Sequence, residues 1–308
     1  MTRQGVASLL LGCVAAVGVP RHAGAGSGVA WITDPVAAFQ KAEEEGRPVL
    51  VLFTGDPCGS RAEIGAGEGP AASRTFQTDC ELLELDVLST PEFAAAAARY
   101  LPLLFNRAGR TMVGQGPADQ DLRRRYEVGT IPTLLLADPW GNEIVRLVGR
   151  TPKPKVVQIL SAMPEDFAPL RADGEALRKD AKAFTALLGA ASFYESARLG
   201  PIAELYYERA SRTAAASKDG AARRQLVLAR GANLLKLGRA KDAVELLSAE
   251  AKRERDGPQA DAVLFGWALA SLASGDLSAA RKLSEDLSRR FPDSAYTTRL
   301  RERLAAQP

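Results

Sequence analysis

The chain has 308 residues, 46% hydrophobic and 25% charged, with three cysteines, one histidine and a formal net charge of +3. That length suggests two domains, and the composition is ordinary for a folded globular chain. A charge balance this close to neutral argues against nucleic acid or an anionic membrane surface as a partner.

Residues 1–25 read as a secretory signal. Met1-Thr2-Arg3-Gln4 is a short basic start, Gly5 to Val19 is apolar and uncharged, and Ala23-Gly24-Ala25 offers small residues for cleavage after Ala25. The apolar run is too short to span a bilayer. A second reading uses Leu10-Leu11-Gly12-Cys13, which resembles a bacterial lipobox with Cys13 as a lipid anchor. Either route places the chain outside the cytoplasm, in a periplasmic or similar space where disulfides persist. His22 is the only histidine and leaves with the signal. The remainder has no imidazole for a Ser/His/Asp triad, a Cys/His pair or a His-containing zinc site, and no metal or other cofactor is expected. If Cys13 is also removed, Cys58 and Cys80 remain, and two cysteines in an exported chain are read as a pair.

Asp34 can cap a helix with Pro35 at its first position, ending near Gly46. Pro48 to Phe53 is apolar without alternation, as expected of a strand buried on both faces. A turn follows at Thr54-Gly55-Asp56-Pro57, and then Cys58. Gly59 to Gln77 is rich in Gly, Ala and Ser and reads as an inserted loop, the least ordered part of the domain. Cys80 to Leu88 reads as a helix with Leu82, Leu83, Leu85 and Leu88 on its apolar side. Ser89-Thr90-Pro91-Glu92 opens another. Leu101 to Phe105 is a second strand, and Asp119 to Tyr126 a short basic helix. Thr133 to Ala137 and Glu143 to Val148 form a strand hairpin around Asp138-Pro139-Trp140-Gly141-Asn142, with Pro132 at its mouth. Lys153 to Met163 is a closing helix.

After Pro164 aromatics thin out and Ala, Leu, Arg and Lys dominate. Leu199-Gly200, Leu237-Gly238 and Ser274-Gly275 each precede an apolar helical run, at spacings of 38 and 37 residues. A period in the high thirties with Gly between paired helices signals an α-helical solenoid. Residues 164–178 read as a linker between domains 29–163 and 179–308. Tyr194, Tyr206, Tyr207 and Trp267 read as core.

Trp31, Val49 to Gly55, Cys80 to Phe93, Ile131-Pro132-Thr133 and Leu136-Ala137-Asp138-Pro139-Trp140-Gly141 carry a resemblance to the thioredoxin superfamily. It is nearest to the exported branch with a Phe-Thr-Gly…Cys-x-x-Cys site. The resemblance implies an α/β thioredoxin-like fold, with Pro132 cis beside the cysteine pair. The pair itself departs from the family pattern. Counted from Phe53, Cys58 stands where the attacking cysteine belongs. Counted back from Ser89-Thr90-Pro91, Cys80 stands where the resolving one belongs, with 19 extra residues between. Arg61 and Gln77 occupy the two places where local Cys-x-x-Cys partners would be. Arg61 would favour the Cys58 thiolate, and Asp79 would disfavour that of Cys80. Residues 179–308 resemble tetratricopeptide-type repeats, through Leu234-Leu235-Lys236-Leu237-Gly238…Ala243 and Leu269 to Ala280. That resemblance implies an all-α domain binding protein substrates or partners.

Two functions from different classes fit these residues. One is a thiol–disulfide oxidoreductase or redox-assisted folding factor, with Cys58 attacking, Cys80 resolving and Pro132 aligning the substrate. The other is a redox-inert adaptor, in which Cys58 and Cys80 are unpaired or only staple the insert and the repeats do the binding.

Overall fold

The computed structural model describes residues 28–55, 58, 61–64, 75–107, 122 and 124–306. The expected signal, with Cys13, lies outside the described residues, as do residues 119–121 and 123 of the expected basic helix at 119–126. Among the described residues no helix is long and apolar enough to cross a membrane.

Helix α1 (Pro35–Glu45) forms where its cap is written. The Asp34 carboxylate accepts from the amides of Val36 and Ala37 at 2.9 and 3.2 Å, and Gly46 ends the helix at φ 65°. Strand β1 (Val49–Gly55) follows and occupies the interior of a four-stranded mixed sheet. It pairs parallel with β4 (Leu101–Arg107) and antiparallel with β5 (Thr133–Ala137), and β6 (Glu143–Val148) forms the edge beyond β5. The unbroken apolar run of β1 is explained by both faces being covered. Leu50 and Leu52 join a core with Leu83, Phe93, Leu134 and Leu160, while Val49, Val51 and Phe53 join one with Ala38, Leu103 and Leu135. The Ile131–Pro132 bond is cis, immediately before β5. This is the thioredoxin-like α/β fold expected, followed by a largely helical C-terminal region.

Two elements between Cys58 and Leu88 differ from expectation. The insert is not all loop: β2 (Arg61–Ile64) and β3 (Thr75–Thr78) pair antiparallel, Arg61 opposite Thr78 and Ile64 opposite Thr75. Local propensity hid this pairing, because it joins segments more than ten residues apart. The expected helix over 80–88 is a short α2 (Asp79–Leu83) continued by a π turn, Glu84–Leu88. The wider turn moves burial from Leu83 to Val87 and Leu88 and leaves Leu85 56% exposed, so Leu85 is not on the apolar face. Helix α3 (Pro91–Ala97) starts at the Thr90 cap as read.

Helix α4 (Lys153–Ala162) is followed by the stretch read as a linker. It is helical with one buried side: a 3₁₀ turn (Ala168–Leu170) leads into α5 (Arg171–Lys179), and Phe167, Leu170 and Leu177 enter the same core as Leu50 and Phe93. That core continues through Tyr194 of α6 (Phe184–Ser196) and Tyr206 of α7 (Gly200–Ser211), so sheet and helices share one apolar interior. Tyr194 and Tyr206 stack at 5.2 Å, and Tyr207 is buried beside them.

The remaining helices are α8 (Ala214–Lys218), α9 (Gly220–Lys236), α10 (Ala240–Arg253), α11 (Ala260–Ala273), α12 (Leu277–Arg290) and α13 (Ala295–Ala305). Pairs α6/α7, α9/α10 and α11/α12 are joined by three-residue turns at 197–199, 237–239 and 274–276. Gly238 and Gly275 take φ 72° and 87° in the second and third turns, a conformation costly for any side chain. In the first turn Arg198 takes φ 61° instead and Gly200 begins α7, so the first unit departs from the other two.

Candidate functional site

The site lies at the end of β1 where the chain leaves the sheet toward Cys58. Cys58 and Cys80 are joined by a disulfide, with Cα atoms 5.9 Å apart across a sequence separation of 22. The hairpin explains the meeting. Its open end, at Arg61 and Thr78, lies three residues from one cysteine and two from the other. The two halves of the site that the sequence separates are thus brought back together by backbone pairing within the insert.

Cys80 sits in the first turn of α2. The Thr78 hydroxyl accepts from the amide of Glu81, and the Glu81 carboxylate accepts from the amide of Thr78 at 2.7 Å, forming a reciprocal capping box. Thr78 and Glu81 are the site residues the sequence reading missed. Their signal, Thr-x-x-Glu ahead of an apolar run, was legible. The same turn carries Asp79 and Glu81, whose charges oppose a thiolate at Cys80 and offset the favourable end of the helix dipole. Burial holds the Glu84 carboxyl above its ordinary range one turn further on.

The two sulfur-bearing residues differ in access. Cys58 is 3% exposed, whereas Cys80 is half-buried. Pro132 is buried at the mouth of β5, whose first residue, Thr133, pairs with Phe53 near the end of β1. The Pro132 carbonyl accepts from Gly149 at 2.8 Å and Thr133 Oγ1 donates to the Thr130 carbonyl at 2.7 Å, so this corner is internally bonded. Cys58 and Pro132 thus both follow from the same end of the central strand pair. Among the described residues no group of three or more His, Cys, Asp or Glu side chains is placed to hold a metal.

At the opposite end of the sheet, the β5–β6 turn docks on the helical region. Asp138 is fully buried. Its carboxylate accepts from the amides of Trp140 and Asn142 at 2.9 and 2.8 Å and from Asn142 Nδ2 at 2.8 Å. Asn142 Nδ2 also donates to the Gly174 carbonyl of α5 at 2.9 Å, and Tyr206 Oη donates to the Glu143 carbonyl at 3.1 Å. Loss of water pushes the Asp138 carboxyl from its ordinary 3.8 up to about 6, against the pull of these hydrogen bonds. The sequence read this segment as a turn and as part of the thioredoxin resemblance, but not as a docking element.

The match to a family model agrees with the fold of the first domain. A family described as a thioredoxin-like domain matches residues 36–164. Among solved structures, one titled "DsbH Oxidoreductase" is similar at 17% identity, over 46% of this chain and 89% of that chain, with a TM-score of 0.34. No curated protein matches the chain.

Proposed function

We propose that this chain is an exported thiol–disulfide oxidoreductase acting on proteins, with Cys58 and Cys80 as the redox pair and Pro132 beside them. The observation that carries the reading is the Cys58–Cys80 bond, between the exit of β1 and the first turn of α2. On this proposal the bond rejoins the two halves of a split Cys-x-x-Cys motif. In this reading residues 29–163 form the redox domain, 164–178 the packed connection, and 179–308 a tetratricopeptide-like platform that holds a protein partner.

Exposure inverts the order of attack that spacing suggested. An exchanging sulfur must be reached by its substrate, and Cys80 is the accessible one, at a helix start. In the reducing direction the Cys80 thiolate attacks a substrate disulfide. A Cys80–substrate S–S bond forms and the substrate S–S bond breaks, releasing one substrate thiolate. The Cys58 thiolate then attacks Cys80 Sγ, the Cys58–Cys80 bond forms, and the second substrate thiolate leaves. Two electrons pass from the pair to the substrate, and the oxidising direction is the reverse.

Serine variants test both the activity and the order. Purified protein should exchange disulfides with a model disulfide protein. Cys80→Ser should abolish this, and Cys58→Ser should accumulate mixed disulfides through Cys80. Trapping by Cys80→Ser instead would restore Cys58 as the attacking residue. If both variants turn over like the parent, the oxidoreductase reading fails. The bond is then a staple resisting glutathione, with a potential below roughly −300 mV, and function falls to the helices.

A further inference from the structure

A second site is built at the far end of the sheet from the disulfide. A cleft of about 690 Å³ opens where the β5–β6 turn meets α5 and α7. Thr133 and Ala137 mark the two ends of β5, so roughly 13 Å of strand separates this cleft from the Pro132 corner, at ~3.3 Å per residue.

Four arginines line it: Arg125, Arg178, Arg209 and Arg212. Arg178 is committed to Glu43 at 2.7 Å. The other three have no carboxylate partner among the described residues, yet two are held in place. Arg125 donates to the Trp140 carbonyl at 3.2 Å and stacks near the rings of Phe39 and Tyr126. Arg209 lies over the Tyr206 ring at 4.9 Å and donates to the Ala181 carbonyl at 3.4 Å. Each guanidinium has five donors, so such anchoring leaves most of them for another acceptor.

The cleft's carboxylates do not cancel this charge. Glu143 is bound by Arg146 at 2.6 Å, and Glu208 lies 3.4 Å from Arg230, which it shares with Glu204 at 2.7 Å. Among the described residues Glu127 makes no ion pair, although Arg146 feels its charge. The lining as a whole holds four arginines against three glutamates, an excess of one positive charge. Asp138, buried and outside the cleft's lining, gives its oxygens to the turn amides, and its charge also attracts Arg125. Helix dipoles favour Arg209 and Arg212 near the C-terminus of α7. They do not explain why Arg125, from the sheet domain, converges on the same space. Leu177, Ile144 and the 46%-exposed Leu205 give the cleft an apolar wall.

We infer that this interdomain cleft binds a small organic dianion, a dicarboxylate or a phosphate monoester, through Arg125, Arg209 and Arg212. A planar guanidinium matches either group bidentately, and the volume is that of a small-molecule site. The inference does not depend on the disulfide's chemistry.

Calorimetric titration of the oxidised full chain with glutarate and with phenyl phosphate tests it. At least one should bind saturably, and the one that binds identifies the acidic group. Binding should weaken with added salt and fall by roughly tenfold or more in Arg212→Gln and Arg125→Gln. Glu127→Gln, which removes the opposing charge, should bind more tightly. Arg212 is exposed and makes no side-chain hydrogen bond or ion pair among the described residues, so its loss does not threaten folding, and equal melting temperatures check this. The inference is overturned if neither dianion saturates the protein below about 1 mM. Unchanged affinity in Arg212→Gln, or weakening in Glu127→Gln, also overturns it.

Discussion

Gly174 of α5 lies flat against the indole of Trp140 in the β5–β6 turn. A methyl group built on Gly174 would stand 2.1 Å from Trp140 Cε3. This contact lets the first helix after the sheet domain approach closely enough for Asn142 to reach the Gly174 carbonyl. Glycine inside a helix ordinarily costs about 1 kcal/mol relative to alanine. Here the sign should reverse. Gly174→Ala must push α5 off a fixed ring and should destabilise by about 1–3 kcal/mol, read as a lower denaturant midpoint. Gly189→Ala is the control. Its methyl would meet only the Asp173 carboxylate, also at 2.1 Å, and that group is the free end of a side chain that can rotate away. Its cost should be clearly smaller.

Asp138 predicts a pH dependence of the same interface. Its folded value, about 6, is above its ordinary 3.8, so between these the native state binds more protons than the unfolded one. Stability contributed by this group is therefore complete below the unfolded value and is lost as pH rises through the folded one. Asp138→Asn removes the effect, so the difference in stability between parent and variant should vary across this window and level off above it. The variant should also be less stable at neutral pH by about 1–3 kcal/mol, because an amide nitrogen would face the Asn142 Nδ2 donor. A difference that does not change with pH would mean Asp138 is ionised to the same extent folded and unfolded.

Arg224 of α9 is buried and ties two helical pairs together. It pairs with Glu254 Oε2 at 3.0 Å and donates to the carbonyls of Glu254 and Pro258. Arg224→Ala strips these partners at once and should cost on the order of 3 kcal/mol. Arg224→Lys should not restore the loss, since a single ammonium cannot span the same acceptors as the planar fork. Thermal melts of the two variants, compared with the parent, measure this.

Reduction of Cys58–Cys80 should lower stability by on the order of 3 kcal/mol for a closed loop of this length. Denaturation with and without reductant checks it. The loss should be the same in Cys58→Ser and Cys80→Ser, because either substitution opens the same loop. Unequal losses would place part of the effect in the packing of the buried Cys58 rather than in loop closure.

The elements were written locally, and the sequence by itself determined them. Asp34-Pro35 begins α1, the unbroken run to Phe53 makes a doubly buried strand, and Thr90-Pro91 starts α3. Gly238 and Gly275 turn two of the helical pairs. Each of these is a preference of residues within one or two turns of each other, which composition and period record. Tertiary structure alone decided what met what. Cys58 and Cys80 join because β2 pairs with β3, and no pattern in a stretch rich in Gly, Ala and Ser announces that register. The stretch 164–178 looked like a linker because it is short and polar. Phe167, Leu170 and Leu177 are buried because the sheet's apolar face extends beneath them. The arginine cleft assembles from Arg125 and, more than eighty residues later in the chain, Arg209 and Arg212. Arg178 is taken by Glu43, Glu143 by Arg146 and Glu208 by Arg230, so Arg125, Arg209 and Arg212 are left without a carboxylate partner among the described residues. Such balances depend on distances across packed elements, which a one-dimensional pattern does not carry.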